Sequence, residues 1–304
     1  MKNTIIVILV IIIVGFGGYF IIKSLSTTTN TPKVSNVVTS TSQGNEQATG
    51  TPITVQDKTQ TIIGKSVGGR DIIAYHYGTG ATEIIFVGGI HGGYSWNTAL
   101  VAYQTMDYLD ANPTVIPANV KVTVIPVLNP DGLYKVVGSS GRFTPANVSS
   151  SQTIQISGRF NGDGVDINRN FDCDWQTSAK WQNTNVSGGS AAFSEPESLA
   201  IKNYVEAQNP KAVVVWYSAQ GGVYASSCGS GILPETSAIT DIYAKASGYP
   251  AFQTFDFYTT TGDMVNWLAK QQIPAISVLL TNHTDTEWTK NQKGIDALLQ
   301  HYAK

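Results

Sequence analysis

The chain has 304 residues, 42% of them hydrophobic and only 13% charged, with a formal net charge of −2. That supports one sizeable core, with a charged share about half the usual one. No basic stripe or Lys/Arg run is present, which argues against nucleic acid as a partner.

In chain order, an apolar run from Ile5 to Ile22 comes first, flanked by Lys2 and Lys23. As a helix it would span about 27 Å, close to a bilayer core. No small-x-small cleavage site follows Lys23, so residues 1–23 read first as an uncleaved membrane anchor and second as a signal segment. The two lysines nearly balance and leave the orientation open. Residues 24–58 are rich in Ser, Thr, Asn and Gly without apolar periodicity, the pattern of a flexible linker. A stalk behind an anchor implies a domain held outside the cytoplasm.

Residues 59–304 form the predicted folded domain. Thr61–Ser66 and Asp71–Tyr77 read as a hairpin turning at Gly68-Gly69. Glu83–Val87 is a short apolar strand closed by Gly88-Gly89. The helix after it carries Trp96, Leu100, Tyr103, Met106 and Leu109 on one stripe. Val120–Val127 is a strand ending in a turn at Asn129-Pro130-Asp131-Gly132. Residues 139–192 read as a long loop region. Ser194-Glu195-Pro196-Glu197 then opens a helix as a capping box. Ala212–Trp216 and Ala275–Leu280 are fully apolar strands, and helices are predicted at 236–247, 263–270 and 290–302. This alternation indicates a single α/β domain: a central, mostly parallel mixed sheet flanked by helices.

Ligand sites of such sheets gather beyond the carboxyl ends of the strands. That singles out Gly89–Gly93, Tyr217–Ala219, Leu279–Thr281 and the loop bearing Asn168-Arg169-Asn170. Gly88–Gly93 lacks both the G-x-G-x-x-G spacing and a P-loop lysine, and no G-x-S-x-G elbow occurs. Arg169 has a plain structural alternative as the ion-pair partner of Asp166 or Asp172. No Cys-x-x-Cys or Cys/His cluster surrounds the two cysteines, Cys173 and Cys228.

Five segments in register carry a more specific signal: GGIHGGYSWNT (88–98), IPVLNPDG (125–132), GVDINRNFD (164–172), FSEPES (193–198) and FYTTTGDMVNW (257–267). Together they resemble the signature segments of the zinc carboxypeptidases across residues 60–304. The resemblance implies a carboxypeptidase-like fold and a zinc held by His, Glu and His with one position open for water. It also implies a separate Glu as general base, and Arg, Asn and Tyr around the substrate's terminal carboxylate and the developing oxyanion.

Carried over position by position, His91 matches the first metal ligand. The Glu ligand position falls on Tyr94, or on Ser95 if the loop is one residue longer. The second His position falls on Tyr217 and the general-base position on Leu279. None of these can replace the residue expected. The substrate-holding side is fuller. Asn168 and Arg169 match the carboxylate-binding pair, Tyr258 the mobile tyrosine, and Val265 the floor of the specificity pocket, suited to apolar C-terminal side chains. Arg142 is favoured over Arg159 for the oxyanion arginine. His283 and Asp285 stand where replacement ligands would have to be sought. Cys173 and Cys228 fall in loops bordering the same cleft and are expected to form a disulfide.

The resemblance therefore implies zinc for the family but no zinc bound here, and a non-catalytic relative binding the C-termini of peptides or wall peptides. Two alternatives stay open: a working metallocarboxypeptidase with an altered metal site, and a structural or adhesive ectodomain with a plugged cleft.

Overall fold

The structure, a computed structural model, describes residues 59–303; the predicted anchor and linker lie outside the described residues. Among the described residues no helix is long and apolar enough to cross a membrane. The elements are β1 (Thr59–Lys65), β2 (Asp71–Tyr77), β3 (Thr82–Val87), α1 (Trp96–Ala111), β4 (Val120–Ile125), α2 (Pro130–Val137) and α3 (Gln152–Ser157). They continue with β5 (Ser178–Trp181), β6 (Thr184–Ser187), α4 (Pro196–Gln208), β7 (Ala212–Ser218), β8 (Gly222–Ala225) and α5 (Pro234–Ser247). The last are β9 (Ala251–Phe252), α6 (Met264–Lys270), β10 (Ala275–Leu280) and α7 (Trp288–His301).

Eight strands form one sheet in the order β1-β2-β4-β3-β7-β10-β8-β9, and β5 and β6 make a separate hairpin. The centre β4-β3-β7-β10 is parallel, while β2 and β8 join it antiparallel on either side. The central strands β7 and β10 read as nearly unbroken apolar runs because both faces are covered. Side chains alternate between the faces. Val214, Trp216, Ile276 and Val278 enter a core shared with α1, α5 and α7. Val213, Val215, Tyr217, Ala275 and Leu279 enter the opposite core, which α4 and α6 help to cover. The buried Trp216 ring stacks on Phe86 at 5.5 Å, and its indole N–H donates to Asn291 Oδ1 at 3.1 Å, so the polar handle is satisfied.

Three local expectations are corrected. Asn129-Pro130-Asp131-Gly132 is a helix start, not only a turn: Asn129 caps α2, its side chain accepting from Gly132 N at 2.8 Å, and Pro130 takes the first helical position. The capping box at Ser194 does not form. Glu195 is the N-cap residue of α4, and Ser194 Oγ donates to the Glu195 carboxylate instead. Glu197, drawn into the interior, accepts from Val67 N and Asn161 Nδ2. The predicted long loop contains α3 and the β5–β6 hairpin, elements too short to show periodicity.

Candidate functional site

The carboxyl ends of β3, β7 and β10 open into a cavity of about 510 Å³. His91 reaches it from the turn after β3, held down by tight backbone contact. Gly92 has φ +45, and a Cβ there would stand 2.5 Å from the Gly158 carbonyl oxygen. His91 is buried and neither ring nitrogen has a hydrogen-bond partner. Burial, then the Arg159 and Arg169 guanidiniums and His283, hold its basicity well below the ordinary value, so the ring is neutral. Its ring lies 5.5 Å from that of Tyr217.

Parallel register sets Leu279 of β10 beside Tyr217 of β7, and the alternation of the sheet points both to the cavity side. Burial raises the Tyr217 phenol well above its ordinary pKa, so it stays neutral. Its hydroxyl lies 3.4 Å from Asn168 Oδ1. Ser95, the N-cap residue of α1, is 1% exposed and its Oγ has no partner. Tyr94 turns away to the rim, against Trp181 at 4.9 Å and His283 at 4.6 Å. Of the two candidates for the Glu position, Ser95 is the enclosed one, its backbone N–H donating to the His91 carbonyl oxygen at 3.4 Å, while Tyr94 lines the cavity.

The opposite wall is polar and cationic. Asn168 donates to Asp263 Oδ2 at 2.7 Å and accepts from Met264 N at 3.1 Å. Arg169 is 1% exposed and donates from Nε to the Lys180 carbonyl oxygen at 2.8 Å. The two carboxylates considered for it are paired elsewhere: Asp166 with Arg159 at 2.8 Å and Asp172 with Lys270 at 2.9 Å. The loop bearing Tyr258 returns over this wall, with the Tyr258 ring 5.9 Å from the Arg169 guanidinium. Gly262 permits that approach; its φ is +64 and a Cβ would stand 2.2 Å from the Arg169 carbonyl oxygen. Val265, at 4% exposure, also lines the cavity.

Arg142 is corrected. It lies at the surface, forms two hydrogen bonds to Asp107 at 2.7 and 3.0 Å, and does not line the cavity. The cavity holds Arg159 instead, 2% exposed and stacked over Trp181 at 4.5 Å. Its signal in the sequence was position: it precedes Asp166 by seven residues, within the segment leading to Asn168 and Arg169. Trp181, on the β5–β6 hairpin, escaped sequence reasoning altogether. His283 lines the cavity at its rim, whereas the Asp285 carboxylate is turned back to accept from Glu287 N.

Cys173 and Cys228 form a disulfide with Cα atoms 6.1 Å apart, tying the Arg169 loop to the segment after β8. It closes a sequence separation of 55 residues. Replacing both cysteines by serine is expected to lower stability by about 2–4 kcal/mol. Urea unfolding of the two forms measures this, and coincident midpoints would deny the bridge a stabilising role.

Residues 55–296 match the zinc carboxypeptidase family over most of the chain. The chain belongs to the zinc carboxypeptidase family. A stretch of 122 residues is 28% identical to carboxypeptidase Z of Homo sapiens, covering 36% of this chain and 17% of that protein. The fold is that of carboxypeptidase A from Helicoverpa armigera, with a TM-score of 0.59 and 19% identity over 81% of this chain and 67% of that one. Murein-tripeptide amidase MpaA from Escherichia coli O157 superimposes with a TM-score of 0.54 and 18% identity over 79% of this chain and 91% of that one.

The family's zinc does not fit the residues present. A tetrahedral site needs three protein donors, usually with anionic help. Here His91 offers one imidazole, and Ser95 and the neutral Tyr217 offer no charge. Asp166 Oδ1, 3.9 Å from His91 Nε2, accepts from Asn168 N, and Arg159 engages the same carboxylate through Oδ2. Among the described residues, the one cluster of three His, Cys, Asp or Glu side chains within metal-binding reach is Cys173, Asp174 and Cys228, whose sulfurs are joined to each other.

Proposed function

We propose that this chain is a non-catalytic zinc carboxypeptidase relative that binds the carboxyl termini of peptides, wall peptides included. One observation carries the proposal. The buried guanidiniums of Arg169 and Arg159 face a cavity in which Tyr217 and Leu279 supply neither an anionic metal donor nor a proton acceptor, and the enclosed Ser95 carries no charge. Among the described residues no carboxylate lies within ion-pair distance of Arg169, although Asp263 in the same wall interacts with it at longer range, and a terminal carboxylate fits its planar fork. Asn168 keeps one amide hydrogen beyond its bond to Asp263, and Tyr258 closes over the pair. Val265 and Leu279 suit an apolar terminal side chain.

The apolar run Ile5–Ile22 supports a domain tethered at a membrane and facing an oxidising, extracytoplasmic compartment, in keeping with its disulfide.

Calorimetry with N-acetyl-L-phenylalanine, alongside metal analysis of the purified protein, tests the binding proposal. Binding is expected, with zinc far below one per chain and no release of C-terminal residues from peptides. A hydrogen-bonded charge pair contributes about 1.5–3 kcal/mol, so Arg169→Ala should weaken binding by about tenfold or more. Stoichiometric zinc with chelator-sensitive hydrolysis would overturn the proposal, as would an affinity indifferent to Arg169→Ala.

A further inference from the structure

The disulfide has a chemistry of its own once it is opened. Cys173 Sγ, Cys228 Sγ and a carboxylate oxygen of Asp174 all lie within 4.8 Å of one another, with Cys173 Sγ and Asp174 Oδ2 3.9 Å apart. Around a tetrahedral zinc, with bonds of about 2.0–2.3 Å, donor atoms stand about 3.5–3.8 Å apart. The three therefore need only side-chain adjustment to share one ion. Asp174 is exposed and Cys228 half-buried, so a hydrated ion reaches them from solvent. Nor does their juxtaposition depend on the bridge. On one side, the Cys173 carbonyl oxygen accepts from Gly262 N at 2.7 Å, and Phe171 N donates to the Gly262 carbonyl oxygen at 3.0 Å. On the other, Ser226 Oγ donates to the Ala275 carbonyl oxygen at 2.7 Å and Ser227 N to Asn266 Oδ1 at 3.1 Å. The Cα atoms of the two cysteines, 6.1 Å apart, are thus held by bonds that remain when the sulfurs part.

We propose that reduction converts the Cys173–Cys228 bridge into a metal site, in which two thiolates and the Asp174 carboxylate bind zinc or a similar borderline-soft dication, with water in the fourth position. A dithiol supplies two electrons and two protons. The sulfur–sulfur bond breaks, both cysteines become thiols, and the dithiol closes to its own disulfide. Each thiol then releases its proton to solvent as its sulfur takes the metal. Bridge and metal exclude each other, the first suiting an oxidising compartment and the second a reducing one. None of the three residues lines the peptide cavity, and the site does not depend on the peptide-binding proposal.

The test uses the full chain, reduced with a phosphine, freed of it without air, and titrated with cobalt(II) and then zinc. The reduced protein should take up one cobalt per chain with thiolate-to-cobalt charge-transfer absorption, which zinc then abolishes. The oxidised protein should show no such absorption, and neither should the reduced Cys173→Ser/Cys228→Ser variant. Changes around a metal's ligands typically cost about 10–100-fold in affinity, so Asp174→Asn, which removes a ligand, should weaken zinc binding at least about tenfold. Near-UV circular dichroism follows the fold. Should reduction diminish that signal, cobalt is expected to restore it, because an ion held only by the native arrangement draws the chain into it. Absence of the absorption band, a band without the native dichroism, or a zinc affinity indifferent to Asp174→Asn rules the site out.

Discussion

Ser95→Glu, Tyr217→His and Leu279→Glu together are expected to convert this chain into a zinc-binding peptidase. The first two supply the missing donors beside His91: a carboxylate from the N-terminus of α1, where the helix dipole favours negative charge, and an imidazole from the end of β7. Leu279→Glu sets a proton acceptor in register with position 217. The steps separate cleanly. Ser95→Glu/Tyr217→His alone should hold about one zinc per chain yet hydrolyse poorly, and the general base should then raise the rate by about 10²–10⁴. Substituting Tyr94→Glu for Ser95→Glu should not restore the metal, because Tyr94 points to Trp181 and His283. Zinc content and release of the terminal residue from a blocked dipeptide are the measurements. A triple variant that stays metal-free refutes the assignment of these positions.

Much of this centre was legible before any coordinates, for a physical reason. His91, Tyr217 and Leu279 stand at the ends of apolar parallel strands, and strand ends in such a sheet converge on one edge. Asn168, Arg169 and Tyr258 were legible only because short segments around them resemble known ones. Nothing in their periodicity marks them. The two cysteines paired because loops bordering one cleft bring them close.

What stayed hidden lies in residues 139–192, where short elements and polar sequence leave no periodic signal. Arg142 and Arg159 look alike there, and burial alone separates them. Arg142 meets an exposed aspartate across the surface from α1, while Arg159 meets Asp166 inside. The capping box failed for a related reason. Glu197 has interior donors available in Asn161 and the Val67 amide, a tertiary arrangement that four residues of sequence do not encode. Trp181 sits on a four-residue strand whose role comes from the arginines beneath it.

Asp166→Asn is expected to be the most destabilising single change in the cleft, at about 3–5 kcal/mol, because it strips a buried guanidinium of its counter-charge. Asp166 is fully buried and accepts from Arg159 Nε at 2.8 Å and from Asn168 N at 3.1 Å. It thus holds both the cation and the short turn that presents Asn168 and Arg169. The loss should show in urea unfolding at neutral pH, and ligand affinity should fall with it as the turn loosens. Arg159→Met in the Asp166→Asn background should recover a large part of the lost stability, since an unpaired buried charge costs more than a missing pair. Recovered stability without recovered binding would assign Arg159 to the ligand as well as to the fold. A cost below about 1 kcal/mol for Asp166→Asn is the value typical of a solvated surface pair, and would mean that water reaches Arg159.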